Sequence, residues 1–212
     1  VNWDTEFAIS IIPRLLEGLA VTVQATVIGY AVALVLGLVV AILRRMDYIG
    51  PVVFVVFEFI RTTPVLVQLL FVFALAPPAV TPLTIGITVL GVHYAAYTAE
   101  VYRSGIEGVA KGQWEACRAL SLPPLRVWGA VVMPQAIRKV IPPLGNYLIS
   151  MFKDTPYLFA ITVGEMMFVA KAIGTEAFRS MEAYTLAGLF FLAVSVPSAV
   201  IIRRLERRYA AV

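Results

Sequence analysis

Hydrophobic residues along this chain fall in long unbroken runs, not in the narrow stripes of a soluble helical bundle. Leu19 to Leu43 carries no charge over 25 residues and ends at Arg44 and Arg45. About 20 apolar residues, rising 1.5 Å each, cross the roughly 30 Å hydrocarbon layer of a bilayer, so this run predicts a first membrane helix with room to tilt. Gly29 and Gly37 give it small surfaces for close helix packing. From Thr62 to Ala99 there is again no acidic or basic residue. That is too long for one helix, and Pro77, Pro78 and Pro82 divide it. The division predicts a second span starting near Val52, which takes Glu58 and Arg61 into the membrane, and a third from about Thr84 to Arg103.

Residues 104–139 are polar, hold most charges of the middle of the chain and predict a segment outside the lipid. Val140 to Gly164 is apolar but interrupted by Lys153, Asp154 and Pro156, so a discontinuous fourth helix is expected. Tyr184 to Ile202 is a final uncharged run of 19 residues, followed by Arg203, Arg204, Arg207 and Arg208. The fold class expected is therefore all-α: a polytopic membrane protein, one domain over residues 1–212, with about five transmembrane helices and a helical loop at 104–139. If the Arg44 side is cytoplasmic, that side holds 12 Lys/Arg and the other three, Arg14, Lys171 and Arg179. The positive-inside rule then puts the N-terminus outside and the C-terminus in the cytoplasm.

Composition narrows the function classes. The chain is 60% hydrophobic and 14% charged, with a mean hydropathy of +0.88, whereas soluble domains carry roughly 25% charged residues. So much apolar surface would form sticky patches in water. Lys and Arg exceed Asp and Glu by only 17 to 13, without a compact basic stretch interleaved with aromatics, so no nucleic-acid partner is expected. A lone cysteine, Cys117, excludes an internal disulfide and a multi-thiolate metal site, and a lone histidine, His93, leaves little for zinc. The first apolar run exceeds a signal-peptide core and lacks a basic flank and a cleavage site before it, so it is expected to be retained. No Gly-x-x-x-x-Gly-Lys-Ser/Thr loop is present, so ATP is not expected to bind this chain. An intramembrane enzyme is one alternative, but neither Gly-x-Ser-x-Gly nor His-Glu-x-x-His occurs. An ATP-independent channel or carrier is another.

The polar segment carries the most informative motif. Gly112-Gln113-Trp114-Glu115-Ala116-Cys117-Arg118-Ala119-Leu120-Ser121-Leu122, then Pro123-Pro124 and a second stretch ending at Met133-Pro134-Gln135-Ala136, reads as helix, turn, helix. Ala116 and Ala119 share one face with Glu115 and Arg118 beside it, a surface that a partner groove approaches closely. This segment resembles the EAA coupling loop of bacterial ABC importers, whose Glu-Ala-Ala, three residues, Gly, nine residues, Ile-x-Leu-Pro falls on Glu115, Ala116, Cys117, Ser121, Val131, Met133 and Pro134. Cys117 replaces an Ala and Ser121 the Gly. An ordinary amphipathic loop helix is the structural alternative. The resemblance covers nearly the whole chain: Leu16-Glu17-Gly18-Leu19-Ala20-Val21-Thr22-Val23, Phe59 to Gln68, Ala95 to Arg103 and Lys153-Asp154-Thr155-Pro156 are similar to permeases of the polar amino-acid uptake group. Thr62 stands where the group usually has Gly, and Pro156 where it has Ser. Within it, Val92 to Tyr97, Gly145 to Ile149 and Lys153 to Leu158 look most like ectoine/hydroxyectoine permease subunits.

The resemblance implies a type I ABC importer permease fold in the bacterial inner membrane and a second permease subunit, the same chain or a similar one. It also implies cytoplasmic ATPase subunits that bind ATP and magnesium, an extracytoplasmic solute-binding protein, and ATPase coupling through Gln113, Glu115, Ala116, Arg118 and Ser121.

Charges at membrane depth cost about 2.5 to 3.5 kcal/mol each and need a partner or water. Glu58 and Arg61 are three apart on one helix and read as an ion pair or as path-lining groups; Glu100 and Arg103 read as an anchor with the same spacing. His93 and Tyr97, four apart, either make an interhelical bond or line a path. Lys153, Asp154 and Thr155 sit at the expected break, where irregular backbone at membrane depth requires a cavity or protein partners. Pro156 is expected to leave carbonyls free before it and to let a new helix start at Tyr157, its N-terminus open to a carboxylate. Asp154 then receives a solute cation or bonds a neighbouring helix, and Phe152 and Tyr157 add cation–π contact or simple packing.

Overall fold

The structure is a computed structural model that describes residues 3–210; residues 1–2 and 211–212 of the expected domain lie outside them. Every regular element of the described chain is a helix, in the order α1 (Thr5–Ser10), α2 (Ile12–Leu43), α3 (Gly50–Thr62), α4 (Val65–Leu75), α5 (Pro82–Glu107), α6 (Lys111–Ala119), α7 (Pro124–Arg126), α8 (Met133–Asp154), α9 (Met166–Glu176) and α10 (Ser180–Ala210). A π-helical stretch, Val127–Val132, leads into α8, and a 3-10 helix, Thr155–Ile161, follows it.

Two helices, α2 and α10, are each long and apolar enough to cross a membrane. Two bent pairs also qualify as broken spans: α3 with α4, bent by 104°, and the segment from Pro124 to Ile161 with α9, bent by 52°. The second expected span is therefore not one helix. Thr63, forced out of the helical region by Pro64, is extended at φ −92°, ψ 144°, as a residue before proline prefers. Expected as the third span, α5 has 26 residues but is not among the helices apolar enough to qualify alone. Its buried positions include His93, Tyr94 and Thr98, which dilute its hydropathy. It is the central helix, packed by α2, α3, α4 and α8, and its polar groups find protein partners instead of lipid.

The α2–α5 pair is the most extensive contact of the bundle. Small residues bring the backbones close enough for a polar bond: Thr98 Oγ1 donates to the Ala33 carbonyl at 2.8 Å. A Cβ on Gly37 would lie 2.0 Å from Thr98 Oγ1 and 3.0 Å from the Ala95 carbonyl oxygen. Gly37→Ala is accordingly expected to force the helices apart, break the Thr98 bond and cost about 1–3 kcal/mol. A lowered thermal unfolding temperature of the purified protein is the readout, and an unchanged one would show that this contact yields freely. A second core joins Ile11 and Leu15 to Met166, Ala170, Ile173, Ala183 and Ala187. Outward faces of α2, such as Val27, Val35 and Ile42, are exposed in the single chain, which suits a lipid-facing surface.

Candidate functional site

Two regions collect the residues singled out in the sequence. The first is the polar segment. α6 turns Cys117 inward and leaves Gln113, Glu115, Ala116 and Arg118 exposed. It is anchored on the π-helical stretch by an edge-to-face contact between Trp114 and Trp128, ring centroids 5.6 Å apart, and on the start of α8 by Gln135 Nε2 donating to Gln113 Oε1 at 3.3 Å. The end of α6 is a Schellman motif: Leu122 N–H reaches the Cys117 carbonyl and Ser121 N–H the Arg118 carbonyl, both at 3.0 Å. The motif puts Ser121 at φ 48°, the left-handed region that glycine occupies without strain. That is the physical reason for the Gly in the motif that Ser121 interrupts. The sharp turn is kept, at a cost. Ser121→Gly is expected to stabilise the protein by about 1 kcal/mol, seen as a raised unfolding temperature; a fall would mean that the serine is favoured here.

The second region lies between α4, α5 and α8. Tyr94 donates its hydroxyl to Asp154 Oδ2 at 2.6 Å, and Tyr97 donates to the Arg61 carbonyl at 3.1 Å. Tyr147 closes the aromatic group, 5.2 Å from Tyr97 and 6.3 Å from Tyr94 between centroids. Buried His93 places Nδ1 3.1 Å from Gln68 Oε1, an interhelical bond from α5 to α4. Gln68 Nε2 in turn donates to the Ile60 and Thr63 carbonyls at 2.7 and 3.2 Å, capping carbonyls that the bend at Pro64 sets free, and lies 2.6 Å from Thr63 Oγ1. Glu58 and Arg61 form the expected pair at 2.8 Å. At the other end of α5, Glu100 takes Arg103 as expected and also Arg44, the C-cap of α2, at 3.0 Å.

Asp154, Tyr97, His93 and Arg61 are thus drawn together, with Glu58 attached through Arg61. Lys153 and Thr155 are not. Lys153 is exposed and Thr155 is fully buried, its hydroxyl donating to the Phe152 carbonyl at 2.7 Å. Sequence reasoning missed Gln68, Tyr94 and Tyr147. Tyr94 was legible in principle, being three residues before Tyr97 and so on the same helix face; Gln68 and Tyr147 come from other helices and gave no such signal.

The expected break at Pro156 differs from the chain's actual course. Thr155 is helical, at φ −56°, ψ −29°, and its N–H bonds the Met151 carbonyl, so the helix tightens into a 3-10 turn with Pro156 in its first turn. The break comes later, at Thr162, φ 63°, and the new helix starts at Met166, not Tyr157. Its N-terminus is already occupied, because the buried Glu165 accepts from Met167 and Phe168 N–H at 2.8 and 2.7 Å. Phe152 is packed on Phe191 at 5.2 Å. Among the described residues no group of three His, Cys, Asp or Glu is placed to hold a metal.

Residues 10–211 match the family of binding-protein-dependent transport system inner membrane components. The chain belongs to this family. A probable amino-acid ABC transporter permease of Sinorhizobium fredii is 43% identical, the match covering 95% of this chain and 92% of the relative. The permease of the glutamine transport system of Escherichia coli is 35% identical over 93% of each chain. A crystal structure of an amino acid ABC transporter superimposes with a TM-score of 0.91 at 28% identity, covering 98% of this chain and all of that one. A chain of a methionine ABC transporter structure, at 17% identity and a TM-score of 0.77, shares the fold. The fold is that of type I ABC importer permeases, and the protein is a membrane-embedded transport subunit rather than an enzyme.

Proposed function

We propose that this chain is the permease subunit of an ATP-driven importer for a polar amino acid or a related zwitterionic solute such as ectoine. The observation that carries the solute class is Asp154. It is a half-buried carboxylate on a membrane helix, and among the described residues Tyr94 is its one hydrogen-bond partner and no cation pairs with it. An anion held at membrane depth without a counter-charge is expensive; a solute ammonium supplies the missing charge, and the rings of Tyr94, Tyr97 and Tyr147 suit a delocalised cation. The same reading fits the names of the similar permeases, which are of amino-acid and glutamine systems.

In this reading residues 1–212 form a single transmembrane domain, with 104–139 as its coupling segment. ATP and magnesium bind separate ATPase subunits, whose cleft receives α6 through Gln113, Glu115, Ala116 and Arg118. Ser121 sets the turn behind them. A second permease subunit completes the pore, and an extracytoplasmic binding protein delivers the solute. Arg61, Glu58, His93 and Tyr97 hold the wall behind Asp154, and Lys153 and Thr155 flank it.

Two experiments test this. Pull-down of the tagged chain should recover an ATPase; recovery of the chain alone, with no nucleotide-dependent partner, would contradict the reading. Orientation follows from the charge imbalance. With Cys117 replaced, cysteines at Ala79 and Arg207 should react with an impermeant reagent from opposite faces of the membrane, Ala79 from outside. Labelling of both from one face would sink the assignment.

A further inference from the structure

A cavity of about 1000 Å³ opens where the C-terminal ends of α2 and α5 meet the π-helical stretch. It lies at the level where the uncharged run of α2 gives way to Arg44 and Arg45, the depth of the lipid headgroups. The charges on its wall are unequally satisfied. Arg44 pairs with Glu100 at 3.0 Å and its guanidinium lies 4.9 Å from the centre of the Phe54 ring. Arg103 is held by Glu100 and Glu107. The remaining two charged lining residues are Arg45 and Asp47, both exposed. Among the described residues neither is ion-paired: the pairs formed at this end of the molecule are Arg44–Glu100, Arg103–Glu100 and Arg103–Glu107. Arg45 lies over Trp128, 5.3 Å from the ring centre, and a stacked guanidinium keeps its in-plane N–H donors for an acceptor.

We infer that this cavity holds the headgroup of a zwitterionic aminophospholipid, its phosphate on Arg45 and its primary ammonium on Asp47. A purely anionic ligand would satisfy Arg45 and repel Asp47, and a purely cationic one would do the reverse, so the ligand carries both signs. A free amino acid also carries both. The rest of the wall decides for an amphiphile: Leu38, Ile42 and Phe54 line the cavity and are 46%, 58% and 45% exposed, continuing it onto the apolar outer faces of α2 and α3, where an acyl chain lies in contact. Basic pockets between membrane helices at headgroup depth are suited to phospholipid phosphates. A primary ammonium donates charge-assisted hydrogen bonds to Asp47 that a quaternary choline lacks. The inference rests on the orientation proposed above only for which leaflet supplies the lipid.

The test is lipid retention by the purified permease, with its copurifying subunits, measured by native mass spectrometry and needing no transport. Phosphatidylethanolamine, phosphatidylcholine and phosphatidylglycerol of one acyl composition are titrated in turn. Phosphatidylethanolamine is expected to bind best, and Arg45→Gln or Asp47→Asn to weaken it about tenfold each. Arg45→Lys should retain most of the binding, and Arg203→Gln, a change at the far end of α10, should leave it unaltered. Equal affinity for phosphatidylcholine would overturn the inference, as would an equal loss from Arg203→Gln. Displacement of the lipid by soluble glycerophosphoethanolamine or by a free amino acid would overturn it as well, since the site would then read the headgroup charges alone.

Discussion

Asp154→Asn is expected to lower transport of cationic and zwitterionic solutes by about 30-fold or more, since removing one partner of a desolvated charge pair costs 2–5 kcal/mol. The amide is nearly isosteric and still accepts the Tyr94 hydroxyl through its carbonyl oxygen, so the 2.6 Å bond between α5 and α8 survives. Assembly, binding-protein docking and basal ATP hydrolysis should therefore be retained. Tyr94→Phe separates the two roles: it removes the hydroxyl but leaves the carboxylate, and should cost about 1 kcal/mol, a few-fold. Uptake by reconstituted vesicles under saturating binding protein measures both. A parental rate in Asp154→Asn would place solute recognition elsewhere, and failure to assemble would make Asp154 a structural bond.

Ala116→Trp is expected to abolish solute-stimulated ATP hydrolysis and import while the chain still inserts and folds. The two consequences follow from opposite surroundings on one helix. Ala116 is exposed, so an indole there meets nothing within the chain. Its neighbour Cys117 is buried, and with Trp114 and Trp128 it keeps α6 seated. A surface that must enter a partner's cleft tolerates added bulk poorly, because interface cores pack as densely as protein interiors. Glu115→Ala should act in the same direction more weakly, through loss of one charge-assisted contact. Normal import with normal ATP consumption in Ala116→Trp would show that α6 is not the coupling element.

How much of this was legible in the sequence depended on whether the controlling interaction was local. The run of α2 and the exposed face of α6 were set by hydropathy and spacing alone. The ion pairs Glu58–Arg61 and Glu100–Arg103 followed from helical periodicity, which fixes i, i+3 neighbours. The bend at Pro64 had its signal in the X-Pro dipeptide, but the length needed to cross the bilayer before Pro77 read as one span from Val52; Gln68, which caps the freed carbonyls, shows that such a bend is tolerated in the membrane when a side chain replaces the lost bonds. At Pro156 the local rule pointed the wrong way. Thr155 stays helical because its own hydroxyl and N–H satisfy the Phe152 and Met151 carbonyls, a compensation no propensity records. The Tyr94–Asp154 bond joins residues 60 apart in sequence, and nothing but the packing of α5 against α8 reveals it.

Solute import driven by ATP through this subunit is decided by uptake and ATP hydrolysis in the reconstituted complex, with and without each component, across binding proteins loaded with amino acids or ectoines. Uptake is expected to require ATP, the ATPase subunits and a loaded binding protein together, and solutes bearing both an ammonium or delocalised cation and a carboxylate to stimulate hydrolysis most. Uptake by vesicles containing this chain alone, without ATP, would contradict this.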